Sequence, residues 1–184
     1  MLTLPEDVKI FTVPGLWNSG PEHWQSYWER EIPQVERIQQ KNWDTPVCED
    51  WIAEVDRAVN AYPTAKIVLV GHSLGCTTIA HWAKTYNRAI HGAMLVAPSD
   101  VEAPSYPPGT TGFKPMPLEK LPFPSTVIAS TNDEYVTPDR ARFFANAWGS
   151  KYVELEDAGH INSNSGLGRW EFGLQRLIEL IQSK

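Results

Sequence analysis

The residues best suited to chemistry are Gly71-His72-Ser73-Leu74-Gly75, which follow the apolar run Ile67-Val-Leu-Val70 and precede a helical pattern. A serine with glycine two positions to either side, set between strand and helix, has the spacing of a nucleophile elbow. The serine sits on a sharp, strained turn, and side chains at the glycine positions would collide with the adjoining strand or helix. Strain of this kind persists only where the surroundings over-determine it, which happens chiefly at functional sites. A hydroxyl is a weak nucleophile, so Ser73 needs a base and the base needs an orienting group.

Five histidines compete for the role of base. His72 adjoins the nucleophile but is expected to point elsewhere from the turn. His23 and His81 fall within helical patterns, and His91 precedes a strand and reads as a surface residue. His160 remains, in Asp157-Ala-Gly-His-Ile-Asn162, a glycine-containing loop between the last strand and the last helix. The carboxyl ends of strands are where ligands bind in open α/β sheets, which favours His160.

The acid is sought at the same edge. Ala129-Ser-Thr-Asn-Asp-Glu-Tyr-Val136 follows the fifth strand and offers Asp133 and Glu134 side by side. Asp133 is preferred because it is nearer the strand end, on a loop braced by Val136 and the helix start at Pro138. Glu134 is the alternative and Asp157 the third choice. The order Ser73, Asp133, His160 is the one expected of a triad mounted on such a sheet.

Acyl transfer also requires donors for the developing oxyanion. One is expected from the backbone N–H of Leu74, at the positive end of its helix. The second is expected from Val13-Pro-Gly-Leu-Trp-Asn-Ser-Gly20, where Gly15 lets the chain turn close to the elbow and Leu16 supplies the N–H. Trp17, on the same loop, is a candidate wall of an acyl pocket.

These residues need a frame, and strand and helix patterns alternate throughout. Strands are expected at Val8–Val13, Val35–Gln39, Lys66–Val70, Gly92–Ala97, Thr126–Ser130 and Lys151–Leu155. Several are apolar throughout, as strands covered on both faces are. Pro21 is expected to open a helix carrying Trp24, Tyr27 and Trp28. Thr45-Pro46 gives a cap and first residue for a helix with Val47, Trp51, Val55, Val59 and Tyr62 on one stripe. A third helix follows Ser73 and runs to about Tyr86. Thr137-Pro138 starts a fourth that Gly149 ends, and Leu167, Trp170, Leu174, Leu177 and Ile181 mark a closing helix. The implied architecture is a mostly parallel, three-layer α/β domain spanning 1–184. Between Pro98 and Pro124, 8 of 27 residues are proline, which suits an ordered loop covering the site rather than a helix or inner strand.

Composition bounds the rest. The chain has 184 residues, 42% apolar and 21% charged, with 16 Lys+Arg against 22 Asp+Glu for a net charge of −6. An acidic chain without a basic run is poorly suited to nucleic acid. No apolar run is long enough to span a bilayer, and the acidic Met1-Leu-Thr-Leu-Pro-Glu-Asp7 does not resemble a signal peptide. Cys48 and Cys76 form no metal- or redox-type pair, so they read as buried thiols in a cytoplasmic protein. No metal or organic cofactor is called for. A monomer acting on a small-molecule acyl substrate is expected, and nothing points to a protein partner.

With Gly71–Cys76, Asp133 and His160 in view, the chain resembles the α/β-hydrolase superfamily. It is similar in particular to the small serine hydrolases that include retinoblastoma-binding protein nine and the bacterial YdeN-type proteins. The resemblance covers nearly the whole chain and rests on Val13–Trp24, Leu69–Cys76, Leu95-Val-Ala-Pro-Ser-Asp100, Ala129–Val136 and Asp157–Asn162. It implies a minimal α/β/α hydrolase sandwich with six strands in the order 2-1-3-4-5-6. It also implies the roles given to Ser73, Asp133 and His160, and supports Leu16 and Leu74 as oxyanion donors. The loop after the first strand departs from the HGGG type of many lipases, and no large cap domain fits between Ala97 and Thr126. Both departures argue against a long-chain lipase.

The expected chemistry is hydrolysis of a small ester, thioester or amide through an acyl-enzyme. Two rivals are a hydrolase-fold protein that acts by binding a partner and an acyltransferase on the same triad. Ser73 disfavours fold relatives that use an aspartate or cysteine nucleophile, and Cys76, one turn into the helix, reads as packing.

Overall fold

Strand and helix alternate from Val8 to Gln182, except that the fourth strand leads to the fifth through the proline-rich loop, in the computed structural model, which describes residues 4–183. The first three residues of the acidic amino-terminal segment lie outside the described residues. The strands are β1 (Val8–Val13), β2 (Val35–Arg37), β3 (Lys66–His72), β4 (Gly92–Val96), β5 (Ser125–Ser130) and β6 (Lys151–Leu155). The helices are α1 (Trp24–Glu31), α2 (Cys48–Asn60), α3 (Leu74–Tyr86), α4 (Pro138–Trp148) and α5 (Glu171–Gln182). All strand pairs are parallel, and the six strands lie in the order β2-β1-β3-β4-β5-β6.

The period-two alternation of strand side chains divides the core between two faces. In β3, Ile67 and Leu69 join Trp51 and Val55 of α2, Ile79 and Trp82 of α3, and Phe144 and Trp148 of α4. Val68 and Val70 point the other way, into a layer made with Trp24 and Trp28 of α1 and Leu174 and Leu177 of α5. Both faces are therefore covered, which is why these strands carry apolar residues without polar alternation.

Three helix starts differ from expectation. Thr45 and Pro46 do not cap α2, because this stretch is held extended against the long loop. Thr111 N donates to Pro46 O at 2.9 Å and Cys48 N to Thr111 O at 2.9 Å, so the helix begins at Cys48 and ends before Tyr62. Pro21 does not open α1; His23 caps it from an extended backbone, its Nδ1 accepting from Gln25 N at 3.2 Å. Leu167 and Trp170 precede α5, because Trp170 takes a left-handed conformation (φ 52°) that a helix interior cannot hold. Strand β2 is shorter than expected, and β3 runs on through Gly71 and His72 before the turn. The proline-rich loop buries Val101, Phe113, Met116, Leu121 and Phe123 in the core against α2–α4, and brings only Tyr106 and Pro107 to the cavity described next.

Register decides what meets at the carboxyl edge. Val13 pairs with Gly71, His72 with Val96, and Val96 with Ile128. The loops that leave β1, β3, β4 and β5 thus emerge side by side, with the loop after β6 next in line.

Candidate active site

Ser73 occupies the turn between β3 and α3 at φ 55°, ψ −122°, a conformation that disfavours any residue with a Cβ. It is held there by Ser73 N donating to Val96 O and Cys76 N donating to Ser73 O, both at 3.0 Å. Packing closes the remaining freedom, since a Cβ on Gly75 would stand 1.9 Å from the carbonyl oxygen of Val13.

Ser73 Oγ lies 2.9 Å from Nε2 of His160. Nδ1 of His160 lies 2.9 Å from both carboxylate oxygens of Asp133, whose side chain is fully buried. Asp133 Oδ1 also accepts from Tyr135 N at 2.8 Å, which fixes the carboxylate plane. A carboxylate only accepts, so Nδ1 carries the proton and Nε2 is free to take one from Ser73. The structure brings together Ser73, His160 and Asp133 and leaves Glu134 and Asp157 outside this chain of hydrogen bonds.

The loop after β1 reaches the elbow at Gly15, where a Cβ would be 2.7 Å from the Ser73 Cβ and 3.1 Å from Leu74 N. Among the described residues, the hydrogen bonds leave the Leu16 and Leu74 amides without a partner. Leu16 and Trp17 line a cavity of about 250 Å³ that opens onto Ser73 and His160, and Trp17 is 57% exposed. The rest of its wall includes Tyr106, Tyr135, Asn18, Asn162 and Asn164, and no lysine, arginine or carboxylate lines it.

Sequence reasoning missed the residues that support His160. Asn132 Oδ1 accepts from Gly159 N at 2.7 Å, Ser130 Oγ from Ala158 N at 2.9 Å, and Thr131 Oγ1 from Asp157 N at 2.9 Å. Three short polar side chains just before Asp133 thus cradle the segment just before His160; the cluster Ser-Thr-Asn beside the acid was the available signal. His72, expected to point elsewhere from the turn, faces the site instead. It lines the cavity, lies with its ring tilted 58° to the His160 ring at 4.9 Å between centroids, and donates from Nε2 to His160 O at 2.9 Å. His23 likewise lines the cavity, 4.6 Å from the His72 ring. Burial, with help from Arg37 and His160, holds the pKa of His23 down at about 3, and burial holds His72 well below the usual imidazole range. His91, expected at the surface, is half-buried and donates to Ile181 O at 2.8 Å. The thiols are poor nucleophiles: burial pushes Cys48 up to about 12 and Cys76 well above the usual thiol range.

The parallel sheet, the elbow and the adjacent loops define an α/β hydrolase. The chain matches the family described as Serine hydrolase over residues 10–179, and it belongs to that family. It is 35% identical to a protein from Pectobacterium atrosepticum described as a YdeN-like hydrolase, over 95% of this chain and 91% of that one, with a TM-score of 0.83. The ydeN gene product of Bacillus subtilis shares the fold at 18% identity and TM-score 0.79, over 96% of this chain and all (100%) of that one. A thermophilic esterase from Thermogutta terrifontis does so at 15% identity and TM-score 0.72, over 96% and 91%. No curated protein matches the sequence. Among the described residues no helix is long and apolar enough to cross a membrane, and no group of three His, Cys, Asp or Glu side chains could hold a metal ion.

Proposed function

We propose that this serine hydrolase cleaves short, uncharged carboxylic esters through an acyl-enzyme on Ser73. The observation that carries the reading is the unbroken line Ser73–His160–Asp133 beside two unpartnered amides. His160 takes the Ser73 proton as Oγ attacks the carbonyl carbon, and Asp133 stabilises the imidazolium that forms. The Leu16 and Leu74 amides receive the oxyanion. His160 then protonates the departing alcohol, activates water, and returns the proton to Ser73 as the acid leaves. The cavity's size and lining support the substrate class. At about 250 Å³ the cavity lies below the roughly 300–1,000 Å³ of pockets for drug-sized ligands, which suits a short acyl group. Aromatic and amide side chains can pack against a neutral substrate, whereas a substrate carboxylate would find no cation among the lining residues.

The test is covalent labelling by a fluorophosphonate together with a panel of p-nitrophenyl esters. The wild-type chain is expected to label at one site and to favour acetate and butyrate over long or anionic acyl groups. Ser73→Ala should abolish both labelling and turnover while retaining the thermal midpoint within a few degrees. Labelling that survives this change would remove Ser73 as nucleophile. A folded protein inert to probe and panel would instead support a binding role for the site.

A further inference from the structure

The loop bearing the Leu16 amide has two consecutive non-glycine residues in the left-handed region, Trp17 at φ 65° and Asn18 at φ 67°. Such a backbone relaxes unless something over-determines it. Trp17 N donates to Trp43 O at 2.9 Å, Asn18 N to Gly15 O at 3.1 Å and Ser26 Oγ to Ser19 O at 3.0 Å, and one residue on the edge strand β2 reaches both Asn18 and Ser19 as well. Arg37 Nη1 donates to Asn18 Oδ1 at 3.0 Å and to Ser19 O at 2.8 Å, while Nη2 donates to Ser26 Oγ at 2.5 Å. The guanidinium is itself aimed by Glu29, through Nε at 3.0 Å and Nη2 at 2.7 Å, and its side chain is only 13% exposed. Glu29 in turn accepts from Thr12 Oγ1 of β1.

The same loop is tied to the elbow strand. Ser19 Oγ donates to Gln25 Oε1 at 2.6 Å, and Gln25 Nε2 donates to Val70 O at 3.0 Å, one residue before Gly71. Arg37 therefore closes a polar bracket running from β2, through the strained loop, to the strand that ends at Ser73. Holding two loop acceptors, a hydroxyl and a carboxylate at once needs the planar fork of arginine, which a lysine ammonium does not offer.

We propose that Arg37, aimed by Glu29, is a positioning residue that keeps the Leu16 amide beside Ser73 ready for the oxyanion. The inference rests on the function proposed above. Oxyanion donors act through pre-organisation, so a loosened donor should lower the rate of acyl transfer more than the affinity for the ester.

The experiment compares wild type, Arg37→Ala and Glu29→Gln using p-nitrophenyl acetate, the rate and final extent of fluorophosphonate labelling, and thermal unfolding. Arg88→Met serves as a stability control, since it breaks a surface ion pair with Asp56 remote from the site. Arg37→Ala is expected to lower kcat and the labelling rate by about tenfold to a hundredfold, with KM within about twofold and labelling still complete. Glu29→Gln should lose less, and guanidinium at sub-denaturing concentration should restore part of the Arg37→Ala rate. Folded Arg37→Ala with wild-type kcat would overturn the proposal. So would a loss of rate matched by Arg88→Met at an equal drop in midpoint. Should Arg37→Ala fail to fold, Glu29→Gln decides by the same criteria. Failure of the function itself would look different: the wild-type chain would show no labelling that depends on Ser73.

Discussion

Ser73 and His160 face each other across 2.9 Å, yet they are held by different physics. The serine's turn is enforced sterically and by backbone hydrogen bonds: β3 delivers it, α3 carries it away, and Gly75 lies against the carbonyl of Val13. The histidine's loop has positive φ at Asp157, Gly159 and Ile161, and no regular element enforces it. It is held by side chains from elsewhere: Ser130 at the end of β5, Thr131 and Asn132 just after it, Trp24 Nε1 on Ile161 O at 2.8 Å, and His72 on His160 O. A steric lock yields all at once when violated. A polar cradle yields by degrees, one hydrogen bond at a time.

The largest effect is therefore expected at Gly75. A methyl there must displace Val13, a backbone atom of a central strand, by more than an ångström, because the contact distance would be 1.9 Å. Gly75→Ala should cost several kcal/mol, at the upper end of single substitutions, and should appear as insoluble protein or a collapsed urea midpoint. A soluble variant with the wild-type midpoint would show that the strand and helix can separate, and the lock would be no lock.

A smaller loss is expected in the cradle. Asn132→Ala removes the acceptor for Gly159 N and the partner of Ser130 Oγ. The bond from Gly159 N is exposed and water can replace it, so the two lost hydrogen bonds together cost about 1 kcal/mol of stability. The activity should fall further than that figure suggests, by about tenfold in kcat with KM little changed, because the imidazole is no longer held at attacking distance. Equal effects on kcat and KM would mean that the cradle shapes the pocket rather than aims the base.

The same difference explains what could be read in advance. The elbow is local in sequence: an apolar strand, glycines at fixed spacing and a helix start leave few ways to fold Leu69–Cys76. The acid loop and the position of His160 follow from alternation and from the edge at which ligands gather, whereas the strand order is implied by the family resemblance. The support for His160 was hard to read because it joins segments about 27 residues apart: the Ser-Thr-Asn cluster marks one side, but nothing local says which segment it holds. His72 was misjudged for a related reason. Its neighbours in sequence say only that it follows a strand; its partner, His160 O, lies 88 residues away. Thr45-Pro46 misled because a well-formed local start signal lost to a tertiary bridge with Thr111.

The last expected effect, read only as a change with pH, concerns the joint between the two regions, where the His23, His72 and His160 rings stand in a row. Burial keeps His23 and His72 neutral, with the His23 pKa depressed from 6.5 to about 3. A depressed imidazole pKa means that the unfolded chain binds more protons than the folded one between these values. Stability contributed by the neutral ring is thus fully present above pH 6.5 and is lost as pH falls towards about 3. Between pH 7 and pH 5 the loss from His23 alone should be roughly 2 kcal/mol, from the linkage relation and 1.36 kcal/mol per pKa unit. His23→Asn keeps an acceptor for the helix cap at Gln25 N but has no proton to gain. Its urea midpoint should therefore fall less between pH 7 and pH 5 than that of the wild-type chain. Equal slopes would show that His23 takes up its proton without leaving the fold, and that the joint is wetter than its burial implies.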